Sequence, residues 1–196
     1  MEIQTLRIRR VGCQRKKCQL GVVPAWRRIM VNQKYGVVYT PDSLADFVAV
    51  LLYRFSDIKD NETALILDPA SGECSLLKAT KKIFGEGHRY VGIDVDPDAV
   101  RRTEKEFEII HSDAILPQGV KKASDSYWRT KLNNIDVVIA NPPWSSEKIY
   151  EKHQLAEAGF QMITGQYDSY VLFIELAYKI LKEEGIMAFI IPDSLF

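Results

Sequence analysis

The sequence predicts an α/β domain whose helices wind doubly around a mostly parallel sheet. From Tyr35 onward, helical and strand patterns alternate, and four polar sites fall at the ends of successive apolar strands. Size agrees: 196 residues, 46% hydrophobic and 27% charged, suffice for one domain with a proper core. No apolar run approaches the ~20 residues needed to span a bilayer.

The elements follow in order. Thr40-Pro41 opens a helix, Thr at the cap and Pro at the first helical position. Its apolar face recurs at helical spacing: Leu44, Phe47, Val48, Leu51, Leu52 and Phe55. Ala64 to Leu67 reads as a strand broken by Asp68-Pro69-Ala70-Ser71-Gly72, and a helix over 73–84 is stopped by Gly85 and Gly87. A second strand, Tyr90 to Ile93, ends in Asp94, and a helix over 97–106 follows. Glu108 to His111 is a third strand, ending at Asp113. Residues 117–134 are polar, with a short helix around Tyr127-Trp128. Ile135 to Ala140 is a fourth, buried strand, closed by Asn141-Pro142-Pro143-Trp144. Residues 145–167 form a long polar connection, a candidate mobile lid. A helix over 169–182 turns Tyr170, Phe173, Ile174, Ala177, Ile180 and Leu181 inward, and Ile186 to Ile191 is a fifth strand.

The formal net charge is zero but unevenly placed. Residues 1–34 hold nine basic side chains against one acid, a +8 segment balanced by −8 over 35–196. This divides the chain into a basic arm, 1–34, and a core, 35–196. The arm suits contact with nucleic-acid phosphates, and equally a solvated tail or a surface that meets an acidic domain. Cys13, Cys18 and Cys74 form no CxxC pair, and His88, His111 and His153 are isolated. We therefore expect free thiols, no metal and a cytoplasmic protein.

Each strand end carries a distinct chemistry. At Gly72 the backbone can approach a ligand closely, with free N–H groups at the following helix start. This is no dinucleotide fingerprint, because GxGxxG is absent and Cys74 holds the second glycine position, which disfavours a nicotinamide oxidoreductase. A carboxylate at Asp94 can accept from two vicinal ribose hydroxyls, while Asp96, followed by Pro97, reads as a helix cap. In the Asn-Pro-Pro-Trp run, two prolines force the chain rigidly out of the sheet. Asn141 offers a side-chain carbonyl and Trp144 a stacking face, which together suit a planar base held by its exocyclic amine.

At these residues the chain resembles the N6-adenine DNA methyltransferases of restriction–modification systems, over roughly Tyr35 to Phe196. Gly36 to Pro41 is similar to their N-terminal cofactor motif, Leu67 to Gly72 to the first sheet motif, and Val91 to Pro97 to the ribose-binding strand. Asp113-Ala114 resembles the adenine-side motif, Asn141 to Trp144 the catalytic one, and Asp168 to Glu175 the helix that follows in fused restriction–methylation enzymes. The resemblance implies a Rossmann-like sheet of order 3-2-1-4-5 and S-adenosylmethionine as cofactor. In it Asp94, with Val95, binds the ribose and Asp113, with Ala114, meets the adenine amine. Asp68, Ala70 and Gly72 surround the methionine portion, and Tyr39, Thr40 and Pro41 close over it. Asn141, Pro142, Pro143 and Trp144 hold a flipped target adenine in DNA. The family's sheet has two further strands and a target-recognition region, so a second chain or further C-terminal residues are expected to supply them. Amino-methyltransferases of RNA or of a protein glutamine share the Asn-Pro-Pro-aromatic run, and a truncated, non-catalytic cofactor-binding or interaction module is the remaining alternative.

Overall fold

The computed structural model describes residues 40–58, 62–118, 124–144, 150–165 and 167–192. The basic arm and Tyr39 lie outside them. The chain order is α1 (Asp42–Phe55), β1 (Leu65–Asp68), α2 (Ser75–Phe84), β2 (Arg89–Asp94), α3 (Pro97–Thr103), β3 (Glu108–His111), α4 (Ser124–Leu132), β4 (Ile135–Ala140), α5 (Lys152–Glu157), α6 (Ser169–Ile180) and β5 (Leu181–Phe189). The five strands form one parallel sheet in the expected order, β3-β2-β1-β4-β5.

Alternation along the strands creates two cores. Ile66, Val137 and Ile139 face α1 and α2, joined by Tyr90 and Phe107. Leu65, Leu67, Val91, Ile93 and Val138 face Trp128 of α4 and Leu172, Leu176 and Ile180 of α6. The indole N–H of the fully buried Trp128 donates to the Ala114 carbonyl at 2.8 Å. No helix among the described residues is long and apolar enough to cross a membrane.

Several boundaries differ from the sequence reading. The buried side of α1 is Ala45, Ala49 and Leu52, whereas Phe47 is 45% and Phe55 73% exposed. Two alanines let α1 settle closely on its neighbour, which moves the bulkier residues to the rim. Thr40 does not cap α1: Pro41 is the N-cap residue, its carbonyl accepting from Leu44 and Ala45, and the Thr40 hydroxyl is engaged elsewhere. Helix α6 stops at Ile180 because Leu181 already pairs with Ile135. The chain then loops out over 182–185 and resumes pairing at Ile186, opposite Val137.

Half of the expected lid is packed. Within 150–165, α5 buries Leu155, and Phe160 is also buried. Glu175, inside α6, accepts from the backbone N–H groups of Gln161 (2.7 Å) and Met162 (2.8 Å) and pairs with Lys179 at 2.7 Å. Burial works to raise the Glu175 pKa, but Lys179 and the two N–H groups outweigh it and hold it below the usual range. Residues 145–149 lie outside the described residues.

Candidate active site

The carboxyl ends of β1, β2, β3 and β4 converge on one cavity of about 240 Å³. The first wall is the β1–α2 loop. Asp68 ends β1 with only 1% of its surface exposed, and its Oδ1 accepts from Ala70 N at 3.0 Å. Burial, aided by repulsion from Asp94 and opposed by the Ala70 hydrogen bond, pushes its pKa up to about 8. The loop is then drawn against β2: Ser71 N donates to Ile93 O at 3.0 Å, and Gly72 N to Asp94 Oδ2 at 2.7 Å. Gly92 permits this approach, since a Cβ there would lie 2.6 Å from Ser71 Oγ.

Cys74, at the second glycine position, adopts a backbone suited to glycine. Its φ is 60°, in the left-handed region that favours glycine, so a cysteine there costs about 1–2 kcal/mol of backbone strain. Its side chain is fully buried beneath the loop with Leu76 and Leu77 and does not line the cavity. Burial and the nearby Asp68 push the thiol up to about 12, which makes it a poor nucleophile.

The acids at β2 and β3 are held through their own loops. Besides Gly72, the Asp94 carboxylate accepts from Asp96 N through Oδ1 at 2.8 Å. Burial raises its pKa despite these hydrogen bonds. An ionised carboxylate has about four acceptor positions, so room remains for a ligand hydroxyl. Asp96 is the cap of α3, accepting from Asp98 N at 2.9 Å. Asp113 Oδ1 accepts from Ile115 N (2.8 Å), Leu116 N (3.1 Å) and the Tyr150 hydroxyl (3.1 Å). Any amine meeting this carboxylate would therefore be met by Oδ2.

The last wall is the run after β4. Asn141 and Pro143 line the cavity, Pro142 is buried, and Trp144 is 36% exposed, its indole N–H donating to Ile190 O at 3.3 Å. Two hydroxyls hold the run: Asn141 Nδ2 donates to Thr40 Oγ1 at 2.9 Å, and Ser169 Oγ donates to the Pro143 carbonyl.

Of the residues expected from sequence, Thr40, Asp68, Ala70, Gly72, Asp94 and Val95 line the cavity, together with Asp113, Ala114, Asn141 and Pro143. Pro41, Pro142 and Trp144 do not, and Tyr39 lies outside the described residues. Sequence reasoning missed Glu73, Arg102, Tyr150 and Phe173 as cavity residues. Phe173 was legible only as an inward helix position; Arg102, paired with Glu73 at 3.2 Å, and Tyr150 sit in no motif. Among the described residues, no group of three or more His, Cys, Asp or Glu side chains is placed to hold a metal ion.

The family model "Eco57I restriction-modification methylase" matches residues 94–196. The chain is 26% identical over 172 residues to the type II methyltransferase M.TthHB8I of Thermus thermophilus, covering 83% of this chain and 36% of that protein. It is 27% identical over 192 residues to the uncharacterised protein YtxK of Bacillus subtilis, covering 93% and 52%. Among solved structures, the type IIG restriction endonuclease BpuSI superposes with a TM-score of 0.65 at 19% identity, over 82% of this chain and 20% of that one. The chain thus spans about a third of the first of these two curated relatives and about half of the second.

Proposed function

Because the chain belongs to the Eco57I restriction-modification methylase family, we propose that it transfers a methyl group from S-adenosylmethionine to the exocyclic N6 of adenine in DNA. One observation carries this reading. The Asp68-to-Gly72 loop and the Asn141-Pro142-Pro143 run leave neighbouring parallel strands, β1 and β4, and share one cavity rich in carboxylates. The lining suits this cofactor. Among the described residues that line it, Asp68, Glu73, Asp94, Asp96 and Asp113 stand against one cation, Arg102, and the cofactor offers a sulfonium, an ammonium, ribose hydroxyls and an adenine amine.

Bound there, the cofactor supplies an electrophilic methyl group. The chain's own residues do the positioning. Asp94 accepts from the ribose hydroxyls and Asp113 Oδ2 from the adenine amine. On the substrate side, Asn141 Oδ1 and the Pro142 carbonyl accept the two N–H bonds of the target amine. That draws the nitrogen towards tetrahedral geometry and localises its lone pair. The Pro143 carbonyl is engaged by Ser169, which favours Pro142 as the second acceptor. Trp144, exposed beside this site, offers its face to a base flipped from the duplex. No covalent enzyme intermediate is needed, and the buried thiol of Cys74 takes no part. The basic arm, 1–34, would contact DNA phosphates.

The test is transfer of radiolabelled methyl from S-adenosylmethionine to unmethylated DNA, RNA and protein, followed by digestion of the product. Label in N6-methyladenine of DNA is expected; label confined to RNA or protein would overturn the reading.

Asp68 makes binding pH-dependent. Its raised pKa means the folded chain holds a proton that the unfolded chain releases, so Asp68 costs stability as pH rises from ~4 towards about 8. A cationic ligand favours the carboxylate. Cofactor binding at pH 7 is therefore expected to release a proton from Asp68, and affinity to rise with pH up to about 8. Calorimetry in buffers of different ionisation enthalpy measures this. Asp68→Asn should remove the release, and equal release in that variant would contradict the assignment.

A further inference from the structure

We infer that Tyr150 is a positioning residue for cofactor selection: its hydroxyl holds the Asp113 carboxylate in the pose that reads the 6-amino group of the cofactor's adenine. The inference rests on the reading proposed above, in which that amine meets Asp113 Oδ2.

The Asp113 carboxylate is used unevenly. Three donors converge on Oδ1: the backbone N–H groups of Ile115 (2.8 Å) and Leu116 (3.1 Å), and the Tyr150 hydroxyl (3.1 Å). The sense of the last bond is fixed. Oδ1 already accepts from two N–H groups, so the phenol is the donor. Burial, and after it the adjoining Asp113, push the Tyr150 pKa up, and the phenol keeps its proton.

The donors differ in what they tie the carboxylate to. Ile115 and Leu116 lie two and three residues beyond Asp113, so their bonds hold it to its own loop. Tyr150 lies 37 residues away, beyond β4. Since β2 and β1 stand between β3 and β4, Tyr150 reaches Asp113 from a strand about three spacings distant, roughly 14 Å. Both side chains line the cavity, and Tyr150 packs against the core that contains Ala114 and Ile115. The phenol therefore fixes the acceptor relative to a second wall of the cavity. Without it, the carboxylate is held by local bonds alone and can swing with its loop, and the amine loses a preset partner.

Tyr150→Phe tests this, because it keeps the ring and removes the hydroxyl. Calorimetry would compare S-adenosylhomocysteine with its counterpart in which purine replaces adenine, so that only the 6-amino group is missing. The parent chain should prefer the amino form. In Tyr150→Phe, affinity for the amino form should fall on the order of 5- to 10-fold and that for the purine form less than about twofold. A merely structural role would lower both affinities alike, as would a partly unfolded sample, and leave the preference intact. In Asp113→Ala, where the phenol has no carboxylate to hold, adding Tyr150→Phe should leave the preference unchanged.

An undiminished preference in Tyr150→Phe, beside a parent chain that shows one, would overturn the inference and leave the proposed cofactor standing. A further loss of preference in the Asp113→Ala background would do the same, since the phenol would then act on the ligand directly. Equal affinity of the parent chain for the two ligands would remove Asp113 from amine recognition, and this role of Tyr150 with it. A parent chain that binds neither ligand would overturn the cofactor assignment itself.

Discussion

Asn141→Ala is expected to abolish methyl transfer, with a fall in single-turnover rate on the order of 10²- to 10³-fold or more. Removing one preorganised hydrogen-bond group from a reacting centre costs about this much, and here the lost acceptor also orients the nucleophile. The fold should tolerate the change. Asn141 is only half-buried, and losing its hydrogen bond to Thr40 costs about 1 kcal/mol. Cofactor affinity should stay within about threefold, because the groups assigned to the cofactor belong to other strand ends. A variant that turns over within threefold of the parent chain would remove Asn141 from the chemistry.

Gly92→Ala is expected to act through the fold. An added Cβ would sit 2.6 Å from Ser71 Oγ, 2.8 Å from Ser71 Cβ and 2.7 Å from Ile109 Cδ1. The isoleucine methyl can swing aside. Ser71 cannot, because its N–H is tied to Ile93 O and its neighbour Gly72 to Asp94. Overpacking of this kind costs about 1–3 kcal/mol, or roughly 2–12 °C in Tm for a chain of this size. Since the displaced loop also carries the cofactor-side N–H groups, binding should weaken in parallel. Thermal unfolding and calorimetry with S-adenosylmethionine measure both effects. Adding Ser71→Gly removes two of the three clashing atoms and should recover much of each loss. A parental Tm in Gly92→Ala would show that the loop has room to move.

The sheet was legible because its strands are short apolar runs, each closed by an acid or by Asn-Pro-Pro-Trp. Those closures are also where the cavity lies. What escaped was decided by distant partners. Periodicity showed that α1 has an apolar face but could not show that Ala45 and Ala49 define the closest contact. The start of β5 depends on Leu181 meeting Ile135, and the loop at 182–185 exists only relative to β4. Thr40 read as a helix cap because capping is local, whereas its bond to Asn141 joins two ends of the sequence. Tyr150, Arg102 and Glu73 carry no local signature, and the fold alone brings them to the cavity.

The register between β1 and β4 has a consequence for how the reaction distance is kept. Ile66 lies opposite Val137 and Leu67 opposite Val138, all four fully buried, and the two chemical halves emerge directly above this ladder. Parallel strands lie about 4.8 Å apart, so the ladder works as a ruler between methyl donor and acceptor. Such a ladder opens only with the whole domain, whereas the loops above it open locally at far lower cost. Under the proposed reaction, the loops could thus diverge or breathe while the spacing between the two halves stays unchanged.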